Sequence, residues 1–222
     1  MSFFYDGISE VEIESLFAKG ILKGVTTNLT LINNKRRVSG LTRLEILNPL
    51  IKLVNKYGIP ISIQLEANSI SKMVDETHHL MNKIDNSGEV YFKVPVDFEK
   101  LEVIKALANQ NIRVNATCIT SQTQAQMAAE AGAKIVSFFW GKMSDQAIDP
   151  FLEISNFNLW KLKRNLVHVT TLVGSVRQIS TIPSAFNAGA DVVTTSYLNL
   201  QKVADQLLSL EANRVFQETN FD

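Results

Sequence analysis

The chain has 222 residues, 45% of them hydrophobic, with 22 lysines and arginines set against 22 aspartates and glutamates. That length admits one large α/β barrel or two small domains, while the charge balance argues against nucleic acid or an anionic membrane surface as a partner. One cysteine, Cys118, excludes an internal disulfide framework and reads as a small buried hydrophobe in a reducing compartment.

The start, Met1 to Asp6, lacks the basic region and apolar stretch of a signal peptide, and no apolar run is long enough to span a bilayer, so the sequence reads as cytoplasmic and soluble. Short β-rich runs then alternate with helical patterns. Phe3-Phe4-Tyr5-Asp6 is the first run, followed by a helix capped at Ser9 with Glu12 three residues on, the spacing of a capping box. Gly24 to Asn28 is the second, and after it a long connection carries Lys35-Arg36-Arg37, which reads as a solvated charge run. A helix is predicted from Leu41 to Tyr57, stopping at Gly58 and Pro60. Ile61 to Leu65 is the third run, and Ser71 to Ile84 the next helix.

The fourth run, Glu89 to Asp97, is β-branched and aromatic, is bounded by Asn86-Ser87-Gly88, and holds one lysine, Lys93. Burial disfavours an ammonium and drives the amine toward neutrality, the form that attacks a carbonyl to give a Schiff base. A lysine at a strand end can also snorkel its charge to solvent. Both readings stand on this run alone.

A helix from Phe98 to Gln110, a fifth strand from Ile112 to Ile119 and an alanine-rich helix capped by Ser121 follow. Ala131-Gly132-Ala133 leads into a sixth strand, Ile135 to Trp140, just as Ala188-Gly189-Ala190 leads into an eighth, Val192 to Thr195. The glycine in each suits a left-handed helix end. Leu166 to Val173 is the seventh strand, with a helix from Ile179 to Phe186 behind it. Eight strands alternating with helices predict a single-domain (β/α)8 TIM barrel over residues 1–222, its C-terminal helix and tail spanning about 198–222. An open doubly wound sheet would announce a glycine-rich turn after the first strand, and none is present.

In a barrel the chemistry sits at the carboxyl ends of the strands. Asp6, Thr27, Asn28, Gln64, Lys93, Asn115, Thr117, Ser137, Phe139, Ser175 and Arg177 fall at or just past those ends, a polar ring where Val, Ile and Leu would be ordinary. The three histidines show no metal-ligand spacing: His78 and His79 read as surface residues and His168 as a core histidine.

This constellation resembles the transaldolase family, in particular the short single-barrel branch that includes fructose-6-phosphate aldolase. The resemblance covers nearly the whole chain. It is carried by Phe4-Tyr5-Asp6, Gly24-Val25-Thr26-Thr27-Asn28, Lys93-Val94-Pro95-Val96, Asn115-x-Thr117, Ala131-Gly132-Ala133-Lys134, Phe139-Trp140-Gly141-Lys142-Met143 and Gly174-Ser175-Val176-Arg177. It implies a class I mechanism without metal or cofactor. Lys93 would form the Schiff base with the keto group of a sugar phosphate, and Asp6 would shuttle protons. Gln64 and Thr117 would hold a water near the lysine. Thr27, Asn28, Asn115, Ser137 and Phe139 would surround the three-carbon fragment, and Ser175, Arg177 and Lys142 would take the phosphate. Lys142 stands where the family commonly has arginine, Leu29 where it often has proline, and Thr120 where an aromatic is common.

Two positions point in opposite directions. The resemblance associates glutamate on strand three and phenylalanine on strand six with transfer, and glutamine and tyrosine with release of free dihydroxyacetone; this chain has Gln64 and Phe139. Expected is a transaldolase of the pentose phosphate type, moving a dihydroxyacetone unit from sedoheptulose 7-phosphate or fructose 6-phosphate to an aldose phosphate. A fructose-6-phosphate aldolase-like lyase and a non-catalytic sugar-phosphate-binding barrel are the alternatives. The resemblance further implies a homo-oligomer, a pentamer or decamer, with no nucleic-acid or membrane partner.

Overall fold

In the computed structural model, which describes residues 1–85 and 87–218, parallel strands close on themselves in the order β1-β2-β3-β4-β5-β6-β7-β8, and β1 pairs with β8. The strands are β1 Ser2–Asp6, β2 Leu22–Thr26, β3 Ile61–Gln64, β4 Val90–Pro95, β5 Val114–Ile119, β6 Ile135–Phe139, β7 Thr170–Gly174 and β8 Val192–Thr195. The expected (β/α)8 barrel is the observed architecture. Asn86, in the turn expected before β4, and residues 219–222 of the expected tail lie outside the described residues.

The helices are α1 Glu10–Ala18, α2 Leu29–Ser39, α3 Arg43–Tyr57, α4 Ile70–Met81, α5 Leu101–Asn109, α6 Gln122–Glu130, α7 Trp140–Asp145, α8 Pro150–Lys163, α9 Thr181–Asn187, α10 Tyr197–Ala204 and α11 Leu207–Glu218. Side-chain period along the strands sorts the core into two parts. Residues facing out, such as Ile61, Ile63, Phe92, Val94, Val114, Ala116, Val136 and Phe138, pack under the helices. Phe4, Ile135, Leu172 and Val192, with Tyr91 against them, fill the floor of the barrel. The polar ring stands on that apolar floor.

Local signals account for most boundaries. Thr42 and Glu45 form a full capping box on α3, and Asp149 accepts from the Phe151 and Leu152 amides at the start of α8, with Pro150 in the first turn. Gly132 and Gly189 both have positive φ, 109° and 96°, as their helix-ending positions required.

Several expectations are corrected. The stretch read as a long connection after β2 is helix α2, capped by Asn28, and its Lys35-Arg36-Arg37 run lies on that helix. A helix not anticipated, α8, precedes β7, so that strand begins at Thr170 rather than Leu166; His168 falls in the intervening turn and is exposed, not a core residue. At α1 the reciprocal half of the capping box is replaced: Ser9 accepts from the Glu12 amide, but the Glu12 carboxylate takes the Tyr5 hydroxyl. His78 and His79 are exposed, as read.

Candidate active site

The mouth of the barrel opens into a cavity of about 550 Å³ lined by Asp6, Asn28, Gln64, Lys93, Asn115 and Thr117, together with Ser137, Phe139 and Ser175. A larger groove of about 810 Å³ lies elsewhere, among Phe3, Ile182, Phe186 and Leu207, and contains none of the polar ring. The polar ring is therefore in the smaller space. Sheet register builds it, because Gln64 pairs with Lys93 and Lys93 with Asn115 across three adjacent strands, while Pro95 pairs with Thr117 one step higher.

Lys93 is only 6% exposed, and its Nζ donates to the Thr27 carbonyl at 2.7 Å. It does not snorkel. Burial lowers its pKa below the ordinary lysine value, with Asp6 and then Cys118 pulling the other way. The amine is thus held in a place that favours its neutral, nucleophilic form.

Asp6 is fixed on one side of the cavity. Thr26 Oγ1 donates to its Oδ1 at 2.9 Å and in turn accepts from Thr194 Oγ1 at 2.7 Å, while Asn28 Nδ2 approaches the same carboxylate oxygen at 3.5 Å. Asn28 is doubly used: its Oδ1 accepts from the Leu31 amide as the cap of α2, leaving the amide NH₂ to face the cavity. Leu29 is the first residue of that helix, a position where the proline common in the resembling family would also fit.

Opposite stands a fully buried chain in which Ser137 Oγ donates to Asn115 Oδ1 at 2.6 Å and Asn115 Nδ2 donates to Ser62 Oγ at 3.1 Å. This locks the Asn115 amide plane. Thr117 Oγ1 is buried with no hydrogen-bond partner among the described residues, and it lines the same space as the Gln64 side chain. Gln64 is held from behind: Arg43 donates to its carbonyl oxygen and pairs with Glu76, whose carboxylate also accepts from the Glu66 and Ala67 amides.

Placement departs from the sequence reading at several residues. The Thr27 side chain does not line the cavity; its hydroxyl donates to the Ser62 carbonyl at 3.2 Å, and Thr27 serves the site through its own carbonyl on Lys93. Its neighbour Thr26 faces in instead. Cys118 is half-buried and lines the cavity, rather than lying sealed in the core. A bulge causes this, since the β5–β6 register shifts between Ala116 and Ile119 and Cys118 adopts φ 63°. Burial raises its thiol pKa, against which the charge of Lys93 acts. Arg177 and Lys142 are exposed and lie outside the cavity lining, although Ser175 is part of it. Thr194 and Ser196 line the cavity without having been singled out. Among the described residues no group of three or more His, Cys, Asp or Glu side chains is arranged to hold a metal, and no helix is long and apolar enough to cross a membrane.

Residues 3–221 match the transaldolase/fructose-6-phosphate aldolase family. The chain is 31% identical over 210 residues to a protein of Anaeromyxobacter dehalogenans named probable transaldolase, covering 94% of this chain and 91% of that one. It is 33% identical over 211 residues to one of Myxococcus xanthus, covering 94% and 89% of the two chains, and 32% identical over 203 residues to one of Thermoplasma acidophilum, covering 89% and 85%. Both bear the same name.

Proposed function

Because the chain belongs to the transaldolase/fructose-6-phosphate aldolase family, we propose that it is a class I Schiff-base transaldolase of the pentose phosphate pathway, acting in the cytoplasm. It moves a dihydroxyacetone unit from sedoheptulose 7-phosphate or fructose 6-phosphate to an aldose phosphate. The observation that carries this reading is Lys93, which is buried, lowered in pKa, and aimed into a polar cavity with a fixed carboxylate nearby.

In the proposed sequence the neutral Lys93 amine attacks the keto carbon of the donor, and loss of water gives a protonated imine. Asp6 takes the proton of the hydroxyl on the carbon beyond the scissile bond. That bond breaks, the aldose phosphate leaves as an aldehyde, and the electron pair passes into the imine to give an enamine on Lys93. The enamine then attacks the acceptor aldehyde, Asp6 returns the proton to the new alkoxide, and hydrolysis of the imine restores the amine. Asn28 and Asn115 hold the hydroxyls of the three-carbon fragment. Gln64 and the unpartnered Thr117 hydroxyl supply the polar groups for the water lost and regained. Ser175 and Arg177 bind the phosphate, with Lys142 adding charge from α7.

Phe139 favours transfer over release, since it lines the cavity with no hydroxyl to hold a water against the enamine. A second reading, an aldolase releasing dihydroxyacetone, is favoured by Gln64, whose amide cannot act as acid or base. Fructose 6-phosphate with and without erythrose 4-phosphate separates the two. Glyceraldehyde 3-phosphate formed only with the acceptor supports transfer; its formation without acceptor supports the aldolase. Assembly into a pentamer or decamer is proposed as well, with exposed Leu207, Leu208 and Leu210 offering apolar surface to a second copy; light scattering of the purified chain tests it.

A further inference from the structure

The guanidinium assigned above to phosphate is already gripped by a carboxylate. Arg177 Nη1 and Nη2 donate to Asp145 Oδ1 and Oδ2 at 2.6 and 2.7 Å, the parallel fork with which arginine would take two phosphate oxygens. Asp145 closes α7, and Arg177 follows β7. The two segments meet because Gly141 N donates to the Ser175 carbonyl at 3.1 Å. A Cβ on Gly141 would stand 2.7 Å from that oxygen and 2.9 Å from both Ser175 Oγ and Arg177 Nε, so only glycine permits the approach. Every candidate phosphate ligand thus converges on one patch: Ser175 and Arg177 against Gly141, and Lys142 close enough to bias the Asp145 carboxyl after the dominant effect of Arg177.

We propose that Asp145 is an internal competitor for the substrate phosphate, and so sets how strongly the enzyme favours phosphorylated over unphosphorylated ketoses. This rests on the reading of Arg177 as the phosphate ligand. A phosphate near a charge of −2 displaces a single carboxylate from the fork, and the released Asp145 remains within one helical turn of Lys142, a cation able to receive it. The Arg177 and Asp145 side chains are 54% and 39% exposed, so their pairing is weak and reversible rather than a lock. Discrimination is tuned by a few-fold, not abolished.

The test uses the full chain and two substitutions, Asp145→Asn and Arg177→Gln, with inorganic phosphate titrated by phosphorus NMR. In parallel, kcat/KM is measured for fructose 6-phosphate and for fructose. Asp145→Asn is expected to tighten phosphate by about two- to fivefold and to raise the kcat/KM ratio of phosphorylated to plain ketose by the same factor. Arg177→Gln is expected to weaken phosphate by roughly tenfold or more. If Arg177→Gln weakens phosphate but Asp145→Asn leaves it unchanged or weakens it, Asp145 merely supports Arg177 and the competitor role is wrong. If Arg177→Gln has no effect on phosphate, the phosphate reading of Arg177 fails and the competitor role fails with it. Loss of a structural contact alone could not tighten binding, so the sign of the Asp145→Asn effect decides.

Discussion

Replacing Lys93 by methionine keeps an unbranched side chain, one heavy atom shorter, and removes its charge. The amine is buried, and burial is the largest influence lowering its pKa. The unfolded chain keeps the lysine proton up to about pH 10.4, whereas the folded chain releases it earlier. Between those two points the unfolded state binds more protons, so wild-type stability rises with pH by up to about 1.4 kcal/mol per pH unit. Below the folded pKa the buried charge costs its full amount. Methionine has no such slope, and the about 1–3 kcal/mol lost when the Thr27 carbonyl forfeits its donor is independent of pH. Lys93→Met is therefore expected to gain on wild type at neutral pH and to lose that gain steadily as pH approaches about 10. Urea unfolding of both proteins across this range, at one protein concentration and with Cys118, whose thiol senses the Lys93 charge, changed to serine in each, measures the difference, in which titrating groups remote from Lys93 cancel. A difference that does not change with pH, or that grows as pH rises, would refute the suppressed-amine argument.

Three further outcomes follow from the geometry. Ser137→Ala leaves Asn115 Oδ1 buried without its donor, which should cost about 1–3 kcal/mol in thermal unfolding and lower kcat more than it raises KM, because the amide plane is no longer held. Gly141→Ala forces a Cβ against the Ser175 carbonyl and the Arg177 guanidinium; steady-state kinetics should show KM for the phosphorylated donor rising by roughly tenfold while KM for plain fructose moves little. Phe139→Tyr introduces a hydroxyl into the cavity, and acceptor-independent cleavage of fructose 6-phosphate should rise on the order of tenfold over transfer; unchanged partition would remove Phe139 from the choice between the two activities.

The alternation of strands and helices was readable because the barrel repeats one pattern eight times, and the polar ring around the cavity was readable because polar residues at strand ends stand out against a Val, Ile and Leu background. Segments without a clean apolar stripe were harder. Helix α2 buries only Ile32, so its periodicity is faint despite the Asn28 cap. Helix α8 carries the start signal Asp149-Pro150, yet Phe151, Leu152, Leu159 and Leu162 are exposed and blur its inner face. Within the site, the two-residue period separates Thr26 from Thr27: Asn28 faces the cavity, so Thr26 does too, and Thr27 points away. That inference needs only parity. Cys118 could not be found this way, because parity places it with Ala116 on the outer face and only the bulge turns it inward. The Asp145–Arg177 pair joins residues 32 positions apart, a contact that local pattern does not encode.

The most direct test of the central claim is borohydride reduction in the presence of fructose 6-phosphate, followed by mass analysis of the peptide containing Lys93. A reduced dihydroxyacetone adduct is expected on Lys93 and none in Lys93→Met. An active enzyme with no adduct, or with the adduct on another lysine, would contradict it.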